Sequence, residues 1–359
     1  MLAIWSELSV KPCKTCRACK EGSMDIRKLA AHLGLSTGTV SRALNGRKDV
    51  SAATRTRVIE GARALGYAPN QAGQSLRAKR TRTVAFLLPV LPDSMTYGDP
   101  FFLSILDGVQ AVLDAEGFEL IVLLWRIEQN PLDVLRRHLG RGIADGWILA
   151  ATGREDPRIT LLSAQAMPFV TLGRSDTRGQ YCSIDLDFES MIDTVIARFL
   201  AAHHRRIALI TAGPGVNFSH LVIARYKAAL KSAGLPFDPD LLYSGPDDAA
   251  RCAQVTTDML ALRPPPTAIF VMGENGAVGT YASLRSAGLE PGKDIAIIGF
   301  RLTAACAALQ PALSCFSVPV RDIGEDLARN LIAQMEQRTD SGATAVRLWT
   351  MAWVQGQSG

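Results

Sequence analysis

Two periodicities divide the chain. Between residues 24 and 66, apolar residues recur at helical spacing in three short bursts: Ile26, Leu29, Ala30 and Leu33, then Val40 and Leu44, then Val58, Ala62 and Leu65. Gly34 permits a tight turn between the first two. Ser36 and Ser51 stand where helix N-caps belong, while Asn45-Gly46 and Gly66 end the second and third helices. Two short helices about a glycine turn, with a third closing their core, predict a helix-turn-helix unit. From Thr83 the pattern changes to short, nearly continuous apolar runs at 84–89, 119–125, 146–150, 169–172 and 182–185, and again at 207–211, 268–272 and 295–300. Helix-like stretches such as 101–117 and 132–139 separate them. Strands apolar on both faces, alternating with helices, predict parallel sheets covered on both sides, and two series predict two lobes. Ligands in such sheets bind beyond the carboxyl ends of the strands.

Composition adds a class and an asymmetry. With 48% hydrophobic and 20% charged residues, a 359-residue chain has ample material for a core. Its longest apolar runs, 84–91 and 207–212, fall far short of the roughly 20 residues of a membrane-spanning helix. Residues 1–23 lack the pattern of an export signal. A cytoplasmic location and no membrane contact are expected, with the seven cysteines as free thiols. The net charge of +5 is unevenly placed: residues 24–82 carry 12 Lys and Arg against 3 Asp and Glu, and residues 83–359 carry 23 against 29. A basic unit on an acidic body suggests a polyanionic partner for the small unit, against the plainer reading of a solvated basic face.

The second predicted helix carries residues suited to base reading. Thr37, Gly38, Ser41 and Arg42 share its polar face, where short side chains let a helix enter a major groove deeply. Arg42 can donate two hydrogen bonds to one guanine. Ser36 and Thr39 suit phosphates near the helix start, and Asn45 closes the same helix. A three-helix unit that binds protein would show similar periodicity.

The segments LGLSTGTVSRALNG, DVSAATRTRV and LGYAPNQAGQSLRAKRT resemble the DNA-binding head of the lac repressor/purine repressor family, over about 60 residues. The resemblance implies that Thr37, Gly38 and Arg42 read bases, and that the segment after Pro69 is a hinge helix folding only on DNA. Two such helices from a homodimer would enter the minor groove, with Leu76 wedged into the central step of a palindromic operator. Residues 70–78 fit this independently: Asn70 can cap a segment too short for a stable isolated helix, and Gly73 weakens it further. A plain linker is the alternative; Arg77, Lys79, Arg80 and Arg82 would reach phosphates in either case.

The resemblance continues more loosely through YGDPFFLSILDGVQAVLDAEGFELIVL, DPRITLL, HRRIALITAGP, PPPTAIFV and GKDIAIIGF, which look like the effector domain related to periplasmic sugar-binding proteins. It implies an all-α helix-turn-helix head joined to an α/β, two-lobed, periplasmic-binding-protein-like effector domain. The boundaries expected are an extension at 1–23, the head at 24–68, the hinge at 69–82, a first lobe at 83–185 and about 316–342, and a second at about 186–315 and 343–359. The resemblance implies that Phe101 and Phe102 occupy the aromatic positions that pack on the effector; core phenylalanines of an amphipathic helix are the alternative. The family's polar ligand positions are altered here. Val222 stands for an arginine, Gly273-Glu274 for Asn-Asp, and Arg301 for an aspartate. Arg301, with Arg174 at another strand end, would favour an anionic effector. A sugar, an anionic metabolite and no effector at all thus remain open.

Hydrolase nucleophile motifs and a P-loop are missing, and the five histidines lack metal spacing, so an enzyme is not expected. Asp185-Leu186-Asp187 is read as a strand-to-helix crossover and His203-His204 as a helix end. Cys13, Cys16 and Cys19 have metal-like spacing but no well-placed fourth ligand beyond the distant His32, so neither metal nor cofactor is expected, and translation is expected to start at Met24; a redox or metal appendage and a disordered tail are the alternatives. The sequence thus predicts an effector-controlled, DNA-binding transcriptional regulator, a repressor of carbohydrate or related catabolic genes. The rival is a solute-binding protein with a vestigial head.

Overall fold

A computed structural model describes residues 24–44, 47, 49–67, 80–90, 100–126, 128–336 and 345–359. The chain divides into two units, Met1–Lys79 and Arg80–Gly359. In the first, helix α1 (Ile26–Leu33) starts on Asp25, whose carboxylate accepts the Lys28 N–H at 2.8 Å. It stops at Gly34, which takes the left-handed conformation at φ 63°. Helix α2 (Thr37–Leu44) follows Ser36, whose hydroxyl accepts the Thr39 N–H at 3.0 Å. Helix α3 (Ala52–Ala64) is capped likewise by Ser51. Leu29, Val40 and Val58 are wholly buried at the centre of this unit, with Ala43 beside them. Leu44 and Leu65 pack only at the margin of that core. Gly61 lets α3 close on α1, because a Cβ there would sit 2.8 Å from Leu33 Cδ2.

The second unit contains two six-stranded sheets. Its elements run β1 (Thr83–Val90), α4 (Pro100–Glu116), β2 (Glu119–Arg126), α5 (Pro131–Leu139), β3 (Gly146–Leu149), α6 (Pro157–Ala164), β4 (Phe169–Leu172) and β5 (Cys182–Leu186). Then come α7 (Phe188–Ala201), β6 (Ile207–Thr211), α8 (Asn217–Ser232), β7 (Leu242–Ser244), α9 (Ala249–Ala261), β8 (Ala268–Val271), α10 (Glu274–Ser286) and β9 (Ala296–Arg301). The chain ends with α11 (Ala304–Ala307), β10 (Ser314–Ser317), α12 (Val320–Met335), β11 (Ala345–Trp349) and β12 (Ala352–Val354). The first sheet has the order β11-β5-β4-β3-β1-β2, all parallel. The second has the order β12-β10-β9-β8-β6-β7, parallel except for β12. Strands such as β6 are buried along their whole length, which is why they read as unbroken apolar runs.

Among the described residues, three crossovers join the sheets: from β5 into α7, from β10 into α12, and from β11 to β12. The last differs from the sequence expectation. Residues 343–359 do not go to the second lobe as a block, because Ala345–Trp349 pairs in parallel with β5 at the edge of the first sheet. Asp326 on α12 anchors it there, accepting from Arg347 Nε at 3.1 Å and Trp349 Nε1 at 3.2 Å. Helices α4 and α12 pack backbone to backbone where Gly108 meets Arg321 and Gly324 meets Ile105.

Candidate nucleic-acid face and inter-lobe cleft

In the first unit, Thr37, Gly38 and Arg42 are exposed on α2, with Ser36 exposed just before it and Thr39 and Ser41 half-buried. The hydroxyls of Ser36 and Thr39 lie 2.9 Å apart. No acidic residue stands in the first turn of α2, so the positive end of its dipole is unopposed there. Arg42 is tethered by Asp49 at 3.6 Å, with both side chains more than half exposed. Such a pair contributes little and is readily exchanged for a base or phosphate. Asn45, Asn70, Leu76 and Lys79 lie outside the described residues.

In the second unit, the carboxyl ends of β3, β4, β6, β8 and β9 converge on the gap between the sheets, as doubly wound sheets require. Two polar contacts bridge the lobes there. The Asn217 N–H donates to Thr152 O at 2.8 Å, and Asn217 Nδ2 donates to Arg174 O at 2.9 Å. A third contact spans the gap between Phe101 and Arg301, whose guanidinium lies 4.9 Å from the ring centroid. Phe102 packs edge-on to Phe101 at 5.4 Å. Phe188, at the first crossover, stacks on Phe218 and touches Phe300, making an aromatic floor.

The predicted effector residues fare differently. Val222 is wholly buried in the core and does not face the cleft. Helical phase explains this: Val222, Tyr226 and Leu230 recur at four-residue intervals along the sheet-facing side of α8. The side chains that α8 brings to the lobe junction are Asn217 and Phe218. Arg174 is at the cleft but committed within the protein: Nε donates to Asp185 at 2.8 Å, and Nη1 and Nη2 donate to Glu189 at 2.9 and 2.7 Å. Burial pushes the Asp185 carboxyl up from its ordinary value, against the pull of Arg174. The contact of Arg174 with Asp185 at 2.8 Å is a hydrogen-bonded ion pair at the crossover, and Asp187 caps α7 through Ser190. His203 and His204 close the C-terminal turn of α7 with N–H bonds to Leu200 and Phe199.

Gly273 reveals a residue that sequence reading misses. A Cβ placed there would lie 1.9 Å from Asp247 Oδ1, so the carboxylate of Asp247 occupies the side-chain space of position 273. Oδ1 accepts the Gly276 N–H at 2.7 Å and Oδ2 accepts the Asn275 N–H at 3.3 Å. Burial raises the carboxyl of Asp247, while those N–H groups and the charge of Arg301 lower it. The signal is hidden because Asp247 follows β7, and only the order β7-β6-β8 brings its loop beside the end of β8.

Comparison with known proteins agrees with this geometry. Residues 25–70 match the family described as bacterial regulatory proteins, lacI family, and residues 196–358 match the periplasmic binding protein-like domain. The transcriptional regulator AglR of Rhizobium meliloti is 32% identical over 77% of this chain and 77% of its own. CelR of Thermobifida fusca is 28% identical over 88% and 92%, and the repressor CytR of Escherichia coli is 25% identical over 90% and 94%. A solved CelR–cellobiose complex superposes with a TM-score of 0.71 at 25% identity, covering 94% of this chain and all of that one. The lac repressor dimer bound to operator gives 0.82 at 21% identity over 93% and 98%, a likeness of fold.

Proposed function

The chain belongs to the lacI family of bacterial regulatory proteins, and from that premise we propose how it works: α2 reads an operator half-site, and the inter-lobe cleft binds the small molecule that controls reading. The observation that carries the first half is the exposed face of α2. It joins short side chains, a helix N-terminus without acidic neighbours in its first turn and a loosely tethered arginine, all within a basic unit. Thr37, Gly38, Ser41 and Arg42 contact base edges in this reading, while Ser36 and Thr39 contact phosphates. Asn45, Asn70, Leu76 and Lys79 keep the roles that the resemblance implies. A homodimer supplies the second half-site that one small head cannot read alone. Residues 24–68 form the head and 69–82 the hinge. The relatives matched are transcriptional regulators, and we read this chain as a cytoplasmic, non-enzymatic member of that group.

For the cleft, aromatic Phe101 and Phe102 opposite the polar strand ends of the second lobe suit a carbohydrate. The CelR complex with cellobiose makes this the natural class to test. Genomic fragments retained by the purified protein and then sequenced should share a palindrome, and binding to it should fall steeply as salt rises. Retention without a common motif would overturn sequence-specific reading. Arg42→Ala should weaken operator binding by about 1–3 kcal/mol while largely sparing non-specific DNA. An equal loss on both would remove the base-reading role.

A further inference from the structure

We propose that Arg82, held by Asp145, is a positioning residue for operator reading: it fixes where the chain leaves the second unit toward the head, and it is not a phosphate contact. This rests on reading the head as the operator-binding part. The sequence alone groups Arg82 with Arg77, Lys79 and Arg80 as a basic cluster within reach of phosphates. The structure gives Arg82 a different task, because its guanidinium is bound within the second unit.

Helix α4 ends at Glu116 without a basic residue in its last turn, so the carbonyls there lack a cation from their own helix. Arg82, the residue before β1, supplies one. Its Nε donates to Gly117 O at 2.8 Å and its Nη2 donates to Glu116 O. The guanidinium carbon lies 4.6 Å from the centroid of the Phe118 ring. Gly117, left-handed at φ 68°, leaves the room: a Cβ there would stand 3.3 Å from Arg82 Nη2. The backbone of Arg82 is itself left-handed at φ 51°, a conformation that residues other than glycine rarely adopt. The arginine side chain must offset that conformational cost, and its contacts with α4 and Phe118 do so.

Asp145, directly before β3, closes the other side. Its Oδ1 accepts from the Thr81 N–H at 2.8 Å and from Thr81 Oγ1 at 3.0 Å, and its Oδ2 accepts the Arg82 N–H at 2.7 Å. The Asp145 N–H donates to Thr83 O at 2.8 Å, and the Glu119 N–H donates to Arg82 O at 2.8 Å. Thr81, Arg82 and Thr83 are thus fastened to the starts of both β2 and β3. The last two residues of the stretch assigned to the hinge consequently belong to the second unit, and the free linker ends no later than Arg80. A homodimer carries two such anchors. Loosening them lengthens both linkers and widens the range of half-site separations that the two heads can span.

The test is competitive binding of the full chain to duplexes carrying the half-sites of the palindrome it recovers from a random-sequence DNA pool. The half-sites are set at the recovered separation and at one and two base pairs more or less. Wild type should prefer the recovered separation by about ten-fold or more. Arg82→Gly keeps the left-handed backbone and removes the cap, whereas Asp145→Asn sets an amide donor against one of the backbone N–H groups. Both should reduce that preference by about three-fold or more and leave the slope of log affinity against log salt at its wild-type value. The preference is a ratio within one preparation, so a fraction of unfolded protein does not move it. A slope lowered by about one per head in Arg82→Gly would make Arg82 a phosphate contact and overturn the proposal. An unchanged preference in either variant would make the anchor purely structural and overturn it equally. If wild type recovers no palindrome, sequence-specific reading fails and the proposal fails with it.

Discussion

Single residues in this chain are asked to satisfy folding and recognition at once, and Gly38 separates the two. It lies inside α2 with ordinary space around it, since a Cβ at this position would stand 3.7 Å from Ser36 Oγ. Alanine there should stabilise the head by about 0.5–1 kcal/mol, since glycine is a poor helix former. If the helix enters a groove closely, the same methyl group should weaken operator binding. Thermal unfolding and operator titration moving in opposite directions would mark Gly38 as a recognition residue; both improving would make it a neutral surface position. Buried thiols give a second test. Burial pushes Cys252 and Cys315 up to about 11, whereas an unfolded cysteine ionises at about 8.5. The folded state favours the protonated thiol, so this contribution is intact below ~8.5 and is lost as pH rises toward about 11. Wild type should therefore lose more stability over that range than a Cys252→Ala, Cys315→Ala double variant, as read from denaturant midpoints. At the same scale, legibility fails twice for different reasons. Val222 is misplaced when motif alignment ignores the phase of α8, and Asp247 is missed because 26 positions separate it from the glycine whose space it fills.

Elements are more legible than residues where their pattern is local. The three head helices follow from apolar spacing plus caps that use serine or aspartate hydrogen bonds within three residues. The central strands follow from burial on both faces. Strand β7, three residues long, and β10, four residues long with two serines, offer too little pattern to stand out. Strand β11 is exposed over most of its length and is placed by pairing with β5 and by Asp326, neither of which periodicity encodes. Helix packing carries its own prediction. At the α4–α12 contact, a Cβ on Gly108 would lie 2.0 Å from Arg321 O, and one on Gly324 would lie 2.2 Å from Ile105 O. Gly108→Ala must push the helices apart and should cost ~1–3 kcal/mol or more, despite alanine's better helix propensity. An unfolding midpoint equal to wild type would show that these helices do not approach so closely.

For the whole molecule, the two-unit plan is legible because charge and periodicity change together near Thr83, whereas regulation and dimerisation are legible only through resemblance. What neither conveys is how the lobes are joined on the cleft side. Asn217 is nearly inaccessible and gives both a backbone and a side-chain hydrogen bond to the opposite lobe. Because the described crossovers are short segments, modest contacts at the open side can bias the lobes between arrangements. Asn217→Asp replaces the donor facing Arg174 O with an acceptor, setting two oxygens against each other and favouring separation. Asn217→Ala only deletes the bond. The aspartate variant should therefore enlarge the effector domain in small-angle scattering more than the alanine variant, with far-ultraviolet dichroism unchanged in both. Any ligand that closes the lobes must then work against a larger separation, so the shift in operator affinity it produces should shrink in the same order. Equal scattering from all three proteins would mean that the crossovers alone set the lobe arrangement, and that Asn217 is only a buried first residue of α8.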